Sequence, residues 1–347
     1  MDIQQAISAV VEHQNLSSDD MQSVMTDIMT GKTTPAQIGG FLIALRMKGE
    51  TVEEITAAAQ VMRALSSKVA LDLEHVVDTC GTGGDGSHIF NVSTASAFVV
   101  ASAGGKVAKH GGRSVSSKSG SADVLEQAGI FLGLDAEQVC RCIEDIGLGF
   151  MFAPNHHSAM KHAVGPRKEM ATRTIFNLLG PLTNPANAKR QVMGVFHKKW
   201  VRPIAEVLKA LGSEHVMVVH SEDGLDEISI AAPTYVAELK NGQITEYSVS
   251  PEDFGIPLQS IESLQAFDAT ESLALIKTAL EGKGKVNPAR DIVALNAGAA
   301  IYVSGIADSL TEGVTIAEDV IGGGTAKIKM SELASFTRCF MSTDSAK

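Results

Sequence analysis

Aromatic side chains are scarce in this 347-residue chain: they make up 5% of it and include a single Trp. That excludes the aromatic platforms on which single-stranded nucleic acid stacks its bases. Net positive charge is missing as well. The formal balance is −11 at pH 7, which repels nucleic acid and anionic lipid overall, so neither nucleic acid nor membrane is expected as a partner. The four cysteines, Cys80, Cys140, Cys142 and Cys339, form no C-x-x-C pair and keep no zinc-ligand spacing with histidine. They read as free thiols of a reducing cytoplasm. No apolar run is long enough to span a bilayer. The start, Met1-Asp2-Ile3-Gln4-Gln5, lacks the basic and apolar parts of a secretory leader. G-x-S-x-G and H-E-x-x-H are both absent, which argues against nucleophile-elbow hydrolases and zincins.

What is present is a core-forming composition, 44% hydrophobic and 20% charged, at a length that suits one large and one small domain. The chain is organised around Asp78-Thr79-Cys80-Gly81-Thr82-Gly83-Gly84-Asp85-Gly86-Ser87-His88-Ile89-Phe90-Asn91-Val92-Ser93-Thr94. Val76 and Val77 before it suit a buried strand, and the small apolar run 95–103 after it suits a buried helix. A strand, a glycine-rich turn and a helix start bring backbone N–H groups and a positive dipole end to one place, as an oxyanion requires. Ser93 and Thr94 would add hydroxyls. No Gly-Lys-Ser/Thr closes the turn, so this is not a P-loop. Two readings stand: a phosphate cradle, or a tight strand–helix turn that needs glycine only for positive φ.

Residues 1 to about 66 read as four amphipathic helices, with starts at Ser17-Ser18-Asp19-Asp20, Thr34-Pro35-Ala36-Gln37 and Thr51-Val52-Glu53-Glu54. So small a helical unit needs a partner for its apolar faces, either the rest of the chain or a second subunit. From about residue 70, strands and helices alternate. Strands are expected at 76–78, 106–109, 148–152, 191–196 and 215–220, with helices at 93–103, 121–128, 135–146 and 200–211. Segment 155–186 interrupts the rhythm, with helices at 157–168 and 173–179. Segments 235–239 and 244–249 alternate around Asn241-Gly242, a hairpin signal. The last hundred residues read as mostly helical, most clearly over 287–303. The fold class is α/β, with a small N-terminal helical domain (1–69, onto which 155–186 packs back) and a large α/β domain (70–347) with a mainly parallel central sheet.

Three further stretches carry chemistry. Lys109 to Ser121 holds Lys109, Arg113 and Lys118 among five serines, and is either a second anion loop or a solvated surface loop. Parallel strands would set it beside the first. Glu222-Asp223-Gly224-Leu225-Asp226-Glu227 follows a strand and is either a Mg²⁺ site or an acidic solvated turn. Arg167 after Gly165-Pro166 suits a planar carboxylate, or else a surface ion pair. His156 reads as packed.

Together, Gly81-Thr82-Gly83-Gly84-Asp85-Gly86, Asn91-Val92-Ser93-Thr94, Lys109-His110-Gly111, Ser116-Ser117-Lys118-Ser119-Gly120-Ser121-Ala122-Asp123 and Arg173-Thr174-Ile175-Phe176-Asn177-Leu178-Leu179-Gly180-Pro181-Leu182-Thr183-Asn184-Pro185 resemble the anthranilate phosphoribosyltransferase family over nearly the whole chain. The resemblance implies transfer of phosphoribose from phosphoribosyl pyrophosphate to anthranilate, in tryptophan biosynthesis. It implies a fold like that of pyrimidine nucleoside phosphorylases, two Mg²⁺ per monomer and a homodimer through the helical domain. It further implies that Lys109, Asp85 and Arg167 carry catalysis. Phosphoribosyl pyrophosphate would meet Gly81, Gly84, Asp85, Ile89, Asn91, Val92, Ser93, Thr94, Lys109, His110, Gly111, Gly112, Arg113, Ser114, Val115, Ser116, Ser117 and Ser121. Anthranilate would meet Gly81, His110, Gly112, His157, Arg167 and Pro181, and Mg²⁺ would meet Ser93, Asp226 and Glu227. Two positions depart from the family pattern: Gly112 stands where an Asn is usual, and Ile89 where Thr or Ser is frequent. The rivals are a pyrimidine nucleoside phosphorylase, which lacks the acidic pair and Arg167, and a relative that has lost catalysis and binds nucleic acid or nucleotide, against which the net charge and the presence of both metal carboxylates argue.

Overall fold

The computed structural model describes residues 1–113, 119–281 and 287–341. The N-terminal helices are α1 (Ile3–Val11), α2 (Ser18–Met29), α3 (Pro35–Lys48) and α4 (Val52–Leu65). Reciprocal caps start three of them: Asp2 with Gln5, Thr34 with Gln37, and Thr51 with Glu54. Glu54 is fully buried, yet accepts from Leu16 N (2.9 Å), Thr51 N (2.8 Å) and Lys48 Nζ (2.9 Å), so its charge is satisfied.

The strands are β1 (Val76–Gly81), β2 (Lys106–Gly111), β3 (Leu148–Phe152), β4 (Arg190–Gly194), β5 (His215–Ser221), β6 (Thr234–Lys240) and β7 (Gln243–Val249). They form one sheet in the order β3-β2-β1-β4-β5-β6-β7. The pairs from β3 to β5 are parallel; β5–β6 and β6–β7 are antiparallel. Asn241 and Gly242 turn the hairpin at φ 52 and 73, the left-handed pair that a two-residue turn demands. The chain leaves β1 toward β2 on one side and returns to β4 on the other. The strand order therefore switches beside β1, where open α/β sheets leave a crevice at the carboxyl ends of their strands.

One face of the sheet is covered by α5 (Val92–Ser102), with α6 (Ser121–Gln127) and α7 (Ala136–Arg141) near the β2–β3 edge. The C-terminal helices α12 (Ala269–Leu280), α13 (Pro288–Ser304), α14 (Leu310–Gly322) and α15 (Thr325–Arg338) complete that layer. α13 is buried along almost its whole length. The other face is covered by α11 (Val201–Ala210), and its core runs on without a break into α1–α4. The partner that the small helical domain required is thus the rest of the chain. Segment 155–186 also joins this second core through Ala163, Ile175, Phe176 and Leu179.

Three element boundaries differ from expectation. β1 and β2 run on to Gly81 and Gly111, so the first cradle residue and His110 are strand residues. The helix expected at 157–168 is divided into α8 (Ala153–His156), a 3₁₀ turn at Ser158–Met160 and α9 (Lys161–Met170), because His157 at φ −122, ψ 57 leaves the helical region. α7 ends in a π turn at Cys142–Ile146 rather than continuing as regular helix. The short helix after α9, α10, spans Ile175–Leu179.

Candidate active site

A cavity of about 480 Å³ opens at the carboxyl ends of β1 and β2. The glycine turn forms one wall, and each of three successive residues is held by a different element. Thr82 Oγ1 accepts from Phe196 N (2.9 Å), Gly83 N donates to Asp226 Oδ2 (2.7 Å), and the Gly84 carbonyl accepts from the Arg173 guanidinium. Gly83, Gly84 and Gly86 all take positive φ. Glycine at the strand ends has a second cause. A Cβ at Gly81 would lie 2.5 Å from Asp226 Oδ2, and one at Gly194 would lie 1.5 Å from the Asp226 carbonyl oxygen. The loop bearing Asp226 can cross the ends of β1 and β4 only because both lack side chains.

Asp85 lines the cavity and accepts from Ser87 N (3.2 Å). Ile89 bridges to Gln265, tying the far limb of the turn to the segment before α12. Asn91 Oδ1 accepts from Ser272 Oγ (2.8 Å). Val92 is buried at the cavity edge, and Ser93 N donates to Glu227 Oε1 (3.2 Å). Thr94 is the exception: its hydroxyl is buried in the core without a partner, away from the cavity lining. Ser93 lines the cavity and Thr94 does not, a separation that the turn of about 100° between successive helical residues allows.

Lys109, 2% exposed, donates from Nζ to the Thr79 carbonyl and lies 3.4 Å from Ser93 Oγ. Burial lowers its pKa, while Asp78, Cys80 and Glu227 pull it back up. Asp78 beneath it is pushed up to about 6 by burial, although it accepts from Asn184 Nδ2 (2.8 Å) and His110 N (3.3 Å). Asp226 is pushed up to about 7 by burial and by the Asp85 charge; Glu227 is pushed well up by burial and by Asp226. Among the described residues, no Lys or Arg forms an ion pair with either.

Arg167 also lines the cavity, with its Cζ 5.1 Å from the Phe176 ring centroid. Arg167 forms no ion pair among the described residues, which leaves the surface-pair reading without support; burial lowers its pKa. His110 lines the cavity, and His157 stands behind it with ring centroids 5.0 Å apart. Burial lowers His110 to about 3 and His157 to about 4, so both are neutral at pH 7. His156 is packed as expected, its Nδ1 3.1 Å from the Ser67 carbonyl. Pro181 lines the cavity while its carbonyl accepts from Gln191 Nε2 (2.8 Å). A Cβ at Gly111 would collide with Ser121 Oγ at 2.3 Å, whereas one at Gly112 would meet only Ala153 Cβ at 3.7 Å. Arg113 borders the cavity, but its charge is taken by Asp123 (2.7 Å) and Glu126 (2.9 Å). Ser114, Val115, Ser116, Ser117 and Lys118 lie outside the described residues.

Sequence reasoning passed over Thr82, Phe176, Asn177 and Ser272, all of which lie in or hold the cavity. Asn177 and Phe176 carried a signal, since they stand in the same run as Pro181. Ser272, on α12 far along the chain, carried none.

This geometry can be set beside known proteins. A family model described as the a/b domain of a glycosyl transferase family matches residues 73–327, and one described as that family's helical bundle domain matches residues 4–66. The anthranilate phosphoribosyltransferase of Marinomonas sp. (strain MWYL1) is 88% identical over 345 residues, covering 99% of this chain and 100% of its own. The chain belongs to the anthranilate phosphoribosyltransferase family. That of Cellvibrio japonicus is 63% identical, covering 97% of this chain and 99% of its own. Among solved structures, the anthranilate phosphoribosyltransferase from Thermus thermophilus aligns with TM-score 0.90 at 40% identity, covering 96% of this chain and 99% of that one. The Saccharomyces cerevisiae enzyme in complex with PRPP and Mg aligns with TM-score 0.88 at 26% identity, covering 97% and 98%. The same yeast protein is also known in complex with 4-fluoroanthranilate. The family fold is the one described above, a small helical domain beside a mainly parallel α/β domain.

Proposed function

We propose that the chain transfers the phosphoribosyl group of phosphoribosyl pyrophosphate to the amine of anthranilate, giving N-(5-phosphoribosyl)anthranilate and pyrophosphate, in tryptophan biosynthesis. One observation carries the reading. A single cavity is lined by a glycine cradle, Lys109 and a carboxylate pair, and also by Arg167 beside the Phe176 ring. The first set suits phosphates and the second a planar aromatic carboxylate. The yeast complexes with PRPP and with 4-fluoroanthranilate support the same pair of substrates.

Displacement at the anomeric carbon breaks the bond to pyrophosphate as the amine lone pair forms the new bond. Positive charge develops on the sugar and negative charge on the departing oxygens. The aromatic amine is neutral at pH 7, so no base is needed to free its lone pair, and the proton that its nitrogen sheds after attack passes to the departing pyrophosphate or to water. Lys109 places an ammonium where the leaving charge grows, and Asp85 and the turn backbone orient the phosphates. Arg167 fixes the carboxylate of the acceptor, with Gly81, Gly112, His110, His157 and Pro181 shaping its route. Neutral His110 adds no positive charge beside the developing cation.

Mg²⁺ fits the acidic end. Asp226 and Glu227 are crowded, pushed up in pKa and without an ion-paired Lys or Arg among the described residues, a state that a divalent cation relieves. Asp226, Glu227 and Ser93 would hold two Mg²⁺ per subunit together with the substrate phosphates. When bound, the ions would supply charge neutralisation of the pyrophosphate. The same reading divides the chain into 1–69, with 155–186 packed onto it, and 70–347. It also joins two subunits through the helical domain, where Val11 and Met47 are 57% and 77% exposed. A cytoplasmic setting suits the free thiols of Cys80, Cys140 and Cys142. No helix among the described residues is long and apolar enough to cross a membrane.

The test is the loss of anthranilate fluorescence on mixing the purified chain with phosphoribosyl pyrophosphate, with and without Mg²⁺. A Mg²⁺-dependent loss is expected. Binding of phosphoribosyl pyrophosphate without fluorescence loss would mean a different acceptor and would withdraw the Arg167 role.

A further inference from the structure

We propose that Arg173, which does not line the cavity, is a positioning residue that sets the donor orientation of the glycine turn and ties that turn to α3 of the helical domain. The proposal rests on the phosphoribosyl pyrophosphate reading of the turn.

The contacts form a closed circuit. The Arg173 guanidinium donates to the Gly84 carbonyl and lies over the Phe196 ring, with Cζ 4.5 Å from its centroid. Phe196 N donates to Thr82 Oγ1 (2.9 Å), two residues before Gly84 in the turn. The Arg173 carbonyl is in turn held by Arg46 Nη1 (2.8 Å), which also donates to Thr172 Oγ1. Arg46 belongs to α3, so a helical-domain side chain reaches the turn through one intermediate residue. Gly84 is also shaped for this neighbour: its φ is +75, and a Cβ there would lie 3.2 Å from Arg173 Nε.

The consequence follows from peptide planarity. In a trans peptide the carbonyl of one residue and the N–H of the next point in opposite directions. Holding the Gly84 carbonyl toward Arg173 turns the Asp85 N–H to the other side. Both residues line the cavity, and Arg173 stands outside it. The guanidinium thus fixes, from behind, the plane of a peptide that faces the anion site. Glycine on either side of position 85 leaves that plane soft unless something holds it. Arg173 is exposed, and an exposed arginine that merely decorated the surface would contribute next to nothing.

The test compares Arg173→Ala, Arg173→Lys and Arg46→Ala with the wild-type chain, by steady-state kinetics and by calorimetric titration of phosphoribosyl pyrophosphate with Mg²⁺. Arg173→Ala is expected to raise both KM and Kd for phosphoribosyl pyrophosphate about tenfold, the loss of one charge-assisted hydrogen bond. KM for anthranilate and the melting temperature should stay put. Arg173→Lys should recover part of the loss. Arg46→Ala should raise the same KM by about threefold and add nothing in an Arg173→Ala background. A phosphoribosyl pyrophosphate KM within twofold of wild type, or a loss shared equally by both substrates, overturns the role. Additive effects of the two arginines overturn the link to α3. Failure of the wild-type chain to bind phosphoribosyl pyrophosphate overturns both this role and the reading beneath it.

Discussion

Two groups of buried acids sit at opposite ends of the same sheet and meet opposite fates. On β6, Glu238 is 8% exposed and accepts from His215 Nε2 (2.9 Å), Tyr302 OH (2.8 Å) and Tyr247 OH (2.8 Å). Lys240 Nζ donates to the same Tyr302 hydroxyl (3.0 Å). Burial alone would raise its pKa, yet the donors from His215, Tyr302 and Tyr247 together hold it below the ordinary value. At the cavity, Asp226 is met by the backbone of Gly83 and of its own residue and Glu227 by Ser93 alone, and burial wins. A buried carboxylate is costly unless its charge is met. Where the chain meets it, as at Glu238, the acid is architecture and pins β5, β6 and β7 to α13. Where the chain does not, as at Asp226 and Glu227, the acids stay raised in pKa, and the function proposed above would meet them with a cation.

The widest separation between the two groups is expected in activity. Glu227→Gln keeps an oxygen for Ser93 N but removes the charge, and should lower kcat/KM by about 10²–10³-fold. The metal-free variant should be no less stable than the wild type, because a carboxylate opposed by both burial and Asp226 has gone. Kinetics in Mg²⁺ and thermal melts in chelator measure the two. Unchanged turnover would remove Glu227 from the site.

Glu238→Gln should do the reverse, leaving kcat within twofold and costing about 2–3 kcal/mol of stability at pH 7, since hydrogen bonds to a charge are lost. The pH dependence follows from the lowered pKa. A carboxylate held below its unfolded value of 4.5 contributes stability at neutral pH and loses it as pH falls through the folded value. The gap between wild type and variant should therefore close below pH 4.5 in urea titrations. A gap independent of pH would mean that shape, not charge, pins the strands.

How much of this was legible follows the range of the interactions. The helical starts at Thr34 and Thr51 are local devices, and they stand where the residues placed them. The turn 81–86, the acidic pair and Arg167 were also visible as local composition, and the sheet gathers them at one crevice. What could not be read was tertiary. Thr94 resembled a donor beside Ser93 until the phase of α5 turned it into the core. Gly194 gave no sign that it must stay bare for the Asp226 loop to pass. Glu238 reads as one more strand acid, because its donors come from β5, β7 and α13.

The smallest effect is expected where the cavity is short of a donor rather than of a charge. Gly112 stands where the family pattern has Asn, and its backbone is already fixed, with its carbonyl accepting from Ala122 N (3.2 Å). It does not need glycine: its φ lies outside the left-handed range, and a Cβ would meet only Ala153 at 3.7 Å. Gly112→Asn should therefore fold normally and present an amide to the cavity between His110 and Arg113. One added neutral hydrogen bond predicts a rise in kcat/KM for anthranilate of about threefold, with KM for phosphoribosyl pyrophosphate moving less. No gain would mean that the acceptor is held by Arg167 alone and that the cavity, unlike the Glu238 network, works without a full set of donors.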